Sequence, residues 1–163
     1  MYTHKLCERA GFTDCARQLP SPQVFTNGVF DLLHLGHVRY LQAARQLGAS
    51  LVVAINSDRS TQMLGKGPGR PVNRAPDRAA LVAALQCVDL VTVFDEATPI
   101  ELLQELRPAI YAKGGDYRDR TLREASLMQQ WGGSTVILDY LQGYSSTSMI
   151  ERAHHICSME KLT

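Results

Sequence analysis

Hydrophobic positions along this chain alternate between two patterns: short continuous runs, and runs in which apolar residues recur every three or four positions. "QVFTNGVF" (23 to 30) is apolar, β-branched and aromatic and closes on Asn-Gly, which predicts a strand ending in a turn. "HVRYLQAARQLG" places Val38, Leu41, Ala44 and Leu47 at helical spacing, with Gly48 as the stop. "SLVVAIN" (50 to 56) is unbroken, the pattern of a strand covered on both faces. "PDRAALVAALQCV" puts Leu81, Ala84, Leu85 and Val88 on one side of a helix, and "DLVTVF" (89 to 94) reads as a strand. Thr98, Pro99 and Glu101 form a capping box ahead of Ile100, Leu103 and Leu106, and Pro108 ends that helix. "AIYAK" (109 to 113) predicts a fourth strand, a weaker helix covers about 120 to 131, and "STVIL" (134 to 138) is a fifth strand. A last helix starts at Ser145 or Ser146.

Strands that alternate with helices imply an α/β fold, a Rossmann-like three-layer α/β/α architecture with a five-stranded parallel sheet. The main domain is read as 21–163, behind an N-terminal extension of 1–20 whose pattern fits either a helix completing a dimer or a loose tail. In such folds ligands sit beyond the carboxyl ends of the strands. Three segments fall at such ends: "FTNGVFDLLHLGHVRY" (25 to 40), "NSDRSTQMLGKGPGRPVNRAPDR" (56 to 78) and "LQGYSSTSM" (141 to 149).

Composition narrows the function classes. A formal net charge of +1 leaves no broad positive footprint for nucleic acid. No apolar run approaches the roughly 20 residues of a bilayer span, so no membrane partner is expected. The N-terminus has no apolar core and no cleavage pattern, so no export signal is read and a cytoplasmic location is expected. The scattered cysteines, Cys7, Cys15, Cys87 and Cys157, contain no C-x-x-C and are expected to be free thiols. His4, Cys7 and Cys15 match no common zinc spacing.

The three segments carry phosphate chemistry. His34 and His37 stand three apart where a strand becomes a helix, so both project from one side of its first turn. Gly36 between them removes a side chain and opens the backbone to a ligand. The helix N-terminus adds unpaired N–H groups and partial positive charge, and the whole suits phosphate oxygens. The second segment gathers Arg59, Lys66, Arg70, Arg74 and Arg78 against only Asp58 and Asp77, the composition of either a glycine-rich lid over a polyphosphate or a solvated loop. "GYSSTS" sets hydroxyls at the start of a helix; at least one is an N-cap, and the others with their N–H groups face the same phosphates.

No P-loop motif is present, and "GKGPGR" departs from G-x-G-x-x-G at Arg70. No zinc-protease or serine-hydrolase motif and no paired carboxylates occur, so an obvious general base is missing. A phosphate monoester needs none, since its second pKa of about 6 leaves it ionised at neutral pH. Such a nucleophile requires positioning and charge stabilisation.

"GVFDLLHLGH" resembles the H-x-G-H signature of the nucleotidylyltransferase superfamily, over roughly residues 22 to 157. "TNGVFDLLHLGH", "NSD", "GRPVN", "KGGDY" and "GYSST", in that order, resemble the bacterial heptose 1-phosphate adenylyltransferases, including the C-terminal half of the bifunctional heptose enzymes. The resemblance implies transfer of AMP from ATP to D-glycero-β-D-manno-heptose 1-phosphate, with pyrophosphate leaving. His34, His37, Lys66 and Arg78 match the catalytic positions. Thr26, Asn27, Gly28, Phe30, Asp31, Gly36, Lys113, Gly114, Asp116, Ser145, Ser146 and Thr147 match nucleotide and phosphate positions, and Asp58 and Arg70 are assigned to substrate. The resemblance further implies magnesium with ATP but no protein-bound metal, a homodimer, a separate heptose kinase upstream, and a product feeding lipopolysaccharide core synthesis. Pro22 replaces a basic residue common in the family, and Tyr140 stands where cytidylyltransferases carry arginine, which favours ATP over CTP. Two further readings are a related transferase acting on glycerol 3-phosphate or another phosphomonoester, and a non-catalytic nucleotide-binding module.

Overall fold

The five apolar runs pair as one parallel sheet in the computed structural model, which describes residues 2–65, 67, 69–115, 123–139 and 141–160, the last two without their side chains. The strands are β1 (Gln23–Gly28), β2 (Ser50–Asn56), β3 (Leu90–Phe94), β4 (Ile110–Gly114) and β5 (Ser134–Leu138). They lie in the order β3-β2-β1-β4-β5. β1 is flanked by β2, with Gln23 opposite Ser50, and by β4, with Val24 opposite Ile110. β2 is buried at every position, which is why its sequence shows no polar alternation.

Alternate strand residues feed two cores. Val24, Leu51, Val53 and Ile55 pack under α2 (Leu35–Arg45) and α4 (Ala75–Ala83). Phe25, Val52, Ala54 and Tyr111 pack under α1 (Phe12–Arg17), α5 (Ile100–Leu106) and α6 (Arg123–Gln129). The chain steps from β1 to β3 along one side, then crosses to β4 on the other, so the sheet's switch point lies between β1 and β4. A short helix, α3 (Asp58–Met63), follows β2, and α7 (Ser146–Glu160) closes the chain. Among the described residues no helix is long and apolar enough to cross a membrane.

Several sequence expectations are corrected. α4 turns Ala75, Arg78, Ala79, Val82 and Ala83 inward, while Leu81 is 45% exposed, and it ends before Ala84, Leu85 and Val88. Small residues on that face let the helix sit close to the sheet, which the larger leucines would prevent. The capping box does not form: Pro99 is itself the N-cap of α5 and no side chain caps it. The helix starts one residue later than a Thr98 cap requires. α3 breaks the segment read as a loop, capped by Ser57, whose hydroxyl accepts from Ser60 N–H at 3.0 Å.

The N-terminal residues are docked. Phe12 and Ala16 are fully buried, four apart on α1, and Cys7 N–H donates to Val91 O at 2.9 Å. Arg9 grips the Glu105 carboxylate at 2.7 and 2.8 Å. Cys7 and Cys15 are bonded as a disulfide, with Cα atoms 6.8 Å apart, and only Cys87 and Cys157 are free. The turn at residues 9–11 folds the chain back and brings the two thiols together, a proximity that spacing alone did not show.

Candidate active site

A cavity of about 710 Å³ opens at the carboxyl ends of β1 and β4, the switch point of the sheet. The loop after β1 builds its floor. Phe30 has φ 49°, a left-handed conformation that costs a side-chain-bearing residue on the order of 1–2 kcal/mol. The turn lays the Phe30 ring over Gly28, where a Cβ would come within 2.9 Å of it. The same ring meets His37 edge-on at 5.2 Å.

His34 is the N-cap of α2, and its Nδ1 accepts the His37 N–H at 3.3 Å. An accepting Nδ1 carries no proton, so the neutral ring bears its hydrogen on Nε2. That Nε2 has no hydrogen-bond partner among the described residues. Burial pushes the His34 pKa below its ordinary value, which keeps the ring neutral at pH 7. The His34 and His37 rings stack at 3.7 Å and 18°. Gly36 serves this stack: a Cβ there would meet the His34 ring at 3.0 Å and Tyr144 Cβ at 3.1 Å. The room expected for a ligand at Gly36 is therefore taken up mainly by protein.

A second helix N-terminus faces the same cavity. Ser145 caps α7, accepting from Ser148 N–H at 3.0 Å, and Ser146 Oγ donates to Leu32 O at 3.3 Å. The first amides of α7 keep no helical acceptor and stand as donors beside Ser146 and Thr147, which line the cavity. From β4, Lys113 is 7% exposed and donates to Asn27 Oδ1 at 3.0 Å, alongside Tyr111 OH at 2.8 Å. Tyr40 OH donates to Ala112 O at 2.9 Å and lies 2.7 Å from Thr26 Oγ1, tying β1 to β4 beneath the site.

The structure sorts the residues expected at the site. Asn27, Gly28, Phe30, Asp31, His34, Gly36, His37, Arg70, Lys113, Gly114, Ser145, Ser146 and Thr147 all line one cavity. Thr26 is fully buried behind it. Arg78, expected at the polyphosphate, is turned into the protein and fully buried. Its guanidinium donates to Val29 O at 2.6 Å, Asn73 O at 2.9 Å and Asp58 Oδ1 at 2.8 Å. It thus fastens two loop segments and the start of α3, and Asp58 is its partner rather than a residue of the cavity wall. Asp31 borders the cavity, but its Oδ1 accepts from Val72 N–H at 2.8 Å and Asn73 N–H at 3.0 Å, and Arg70 Nε lies 2.7 Å from Oδ2, off the line of the N–H bond. The glycine-rich segment is latched by these bonds at residues 70–73. Lys66, Asp116 and Tyr140 lie outside the described residues.

Tyr40, Asn56, Leu64, Thr98 and Glu124 also line the cavity and were not singled out from sequence. Asn56 could have been found, as it ends β2 at the ligand side of the sheet. Thr98 was hidden by its apparent role as a helix cap.

Residues 25–152 match the family described as cytidylyltransferase-like. The chain belongs to the cytidylyltransferase-like family. Within it, the chain is 56% identical over 135 residues to the D-beta-D-heptose 1-phosphate adenylyltransferase of Bordetella bronchiseptica, a match covering 83% of each. It is 57% identical over 130 residues to the bifunctional protein HldE of Streptomyces coelicolor, covering 80% of this chain but 28% of that one. A lipopolysaccharide core biosynthesis protein from Thermoplasma volcanium superposes with a TM-score of 0.60 at 30% identity, over 76% of this chain and 98% of that one. Pantoate-beta-alanine ligase from Francisella tularensis shares the fold, with a TM-score of 0.55 at 16% identity over 93% of this chain and 77% of that one.

Proposed function

We infer that this chain is a heptose 1-phosphate adenylyltransferase, moving AMP from ATP to D-glycero-β-D-manno-heptose 1-phosphate and releasing pyrophosphate. The observation that carries the substrate is the 56% identity to the Bordetella enzyme over 83% of both chains. The chemistry is supported by the convergence of two helix N-termini and a stacked histidine pair on one cavity.

A phosphate oxygen of the sugar 1-phosphate attacks the α-phosphorus of ATP. The new P–O bond forms as the bond to the β-phosphate oxygen breaks, and the electron pair leaves with pyrophosphate. The acceptor is already ionised, so the reaction needs no general base. Charge builds on the phosphate oxygens, and fixed donors there are effective because they need no reorganisation. The His34 Nε2–H, His37 and the first amides of α7 supply such donors. The orienting bond from His37 N–H to His34 Nδ1 fixes which nitrogen of His34 donates.

Among the described residues no group of three or more His, Cys, Asp or Glu could hold a metal ion. The site fits magnesium that arrives with ATP on phosphate oxygens, where it would neutralise charge on the triphosphate. On this reading a separate kinase acting on a heptose supplies the anomeric phosphate, and the reaction belongs to the cytoplasm.

Pyrophosphate release tests the assignment, with ATP or CTP each offered heptose 1-phosphate or glycerol 3-phosphate in the presence of magnesium. Release with ATP plus heptose 1-phosphate alone is the expected result. Preference for CTP or glycerol 3-phosphate would overturn the substrate, and silence in all four mixtures from folded protein would overturn the reaction.

A further inference from the structure

Residues 95–99 join β3 to α5, and Ala97, Thr98 and Pro99 of that segment line the cavity. Ala97 and Thr98 are exposed, so apolar packing does little to fix this part of the wall. Polar contacts on either side of it do the fixing. Glu96 O accepts from Ser60 Oγ at 2.7 Å, and Ser60 Oγ accepts from Asn56 Nδ2 at 2.9 Å. The Glu96 carboxylate lies 3.5 Å from the Arg9 guanidinium, which also grips Glu105 of α5 at 2.7 and 2.8 Å. Thr13 Oγ1 donates to the same Glu105 carboxylate at 3.3 Å. Arg9 therefore ties together the two ends of the wall segment, Glu96 before it and Glu105 after it.

Arg9 itself sits inside the ring closed by the Cys7–Cys15 disulfide. One end of that ring is pinned to β3 by the bond from Cys7 N–H to Val91 O, and the other to the core by Phe12 and Ala16. Both cysteines are half-buried, within reach of a small thiol. In a reducing compartment such a bridge is characteristically transient and redox-sensing. We propose that Cys7 and Cys15 form a thiol–disulfide switch that sets substrate affinity through Arg9, a positioning residue for the cavity wall. A dithiol reduces the bridge: its thiolate attacks one sulfur, the protein S–S bond breaks, and the reagent closes its own disulfide. Two electrons and two protons pass to Cys7 and Cys15, and a disulfide oxidant such as oxidised glutathione reverses the exchange. Opening the ring frees residues 7–11 from a fixed distance to α1, Arg9 loses its hold on Glu96 and Glu105, and residues 95–99 loosen.

The affinity part of the proposal rests on the adenylyltransferase reading, but the loosening is read without turnover. Wild type, Arg9→Met, Arg9→Lys and Cys7→Ser/Cys15→Ser are each prepared with oxidised glutathione and with dithiothreitol. Amide hydrogen exchange across residues 95–99 and the kinetics of pyrophosphate release are then measured well below the melting temperature of every form. Reduction of wild type is expected to speed exchange at 95–99 and to raise KM for ATP or heptose 1-phosphate about threefold or more, with kcat within about twofold. Oxidised Arg9→Met already behaves as reduced wild type and gains nothing further from dithiothreitol. Arg9→Lys keeps the charge without the fork and recovers only part of the response. The double serine variant matches reduced wild type under both conditions. Wild-type forms that agree in exchange and in both KM values overturn the proposal, as does a change in kcat alone. An oxidised Arg9→Met protein with wild-type KM values and exchange would remove Arg9 from the coupling and overturn it equally. Failure of wild type to release pyrophosphate would overturn the functional reading instead, and exchange at 95–99 would still decide whether the cysteine pair controls the wall.

Discussion

Arg78 was expected to touch the polyphosphate, and the structure gives it another task that mutation can separate. Its side chain is 0% exposed and joins Val29 in the histidine loop, Asn73 in the glycine-rich segment and Asp58 at the start of α3. Arg78→Met keeps the aliphatic stem and removes every donor. The Val29 carbonyl is then left buried without its partner, and Asp58, 40% exposed, recovers water at part of its surface. Removing one partner of a buried ion pair costs about 3–5 kcal/mol, and the partial exposure of Asp58 sets the expectation near the lower end. At roughly 2–4 °C per kcal/mol for a domain of this size, the melting temperature falls by about 10 °C. Arg78→Lys recovers little, because one ammonium cannot serve three acceptors in fixed directions. Urea denaturation gives the stability, and pyrophosphate release well below the new melting temperature gives activity of the folded fraction. The structure predicts a large stability loss with folded-state kcat reduced about tenfold or less. A variant as stable as wild type that has lost about a thousandfold in kcat would refute the reasoning and return Arg78 to the substrate.

Two more outcomes follow from particular contacts. Because burial holds the His34 pKa below its ordinary 6.5, the unfolded chain binds more protons than the folded one as pH falls below 6.5. Stability contributed by the neutral ring is present above 6.5 and is lost as pH drops through the folded value, so urea midpoints fall from pH 7 toward pH 5. His34→Gln flattens that slope, and an unchanged slope would show that His34 is not the titrating group. Reducing the Cys7–Cys15 bridge releases a loop with a sequence separation of 8, worth about 2–3 kcal/mol by chain entropy. Thermal melts with and without reductant are expected to differ, while Cys7→Ser/Cys15→Ser protein shows no response to reductant; identical melts for wild type would contradict the pairing.

How much of this was legible in the sequence depended on where a residue's partners lie. β2 was readable to the residue, because a strand buried on both faces must be apolar throughout. α3 was not, because its buried residues are Ser60 and Thr61, held by hydrogen bonds rather than by an apolar stripe. α4 was found but rotated, since its inner face is built of alanines and an arginine and its largest hydrophobe points out. Phe12 and Ala16 form too short a pattern to announce a docked helix, and their partners lie far along the chain on the sheet. At the site, the convergence of the three strand-end segments followed from topology, so the histidines and the serines could be placed together, whereas Lys113 came from the family resemblance alone. The roles of Arg78 and Asp31 could not, because charge in sequence does not say whether a group faces a ligand or another loop. Glu124 carried no motif of its own and became visible only as a cavity wall.

The central claim is that the stacked histidine pair stabilises charge on the transferring phosphates. It is tested most directly by kcat and KM for pyrophosphate release by His37→Ala at saturating ATP, heptose 1-phosphate and magnesium. Loss of a group acting mainly in the transition state lowers kcat by about a hundredfold or more, leaves KM for ATP within a few-fold, and leaves the melting temperature near that of wild type. A His37→Ala protein that turns over at the wild-type rate, or that raises only KM, would contradict the account.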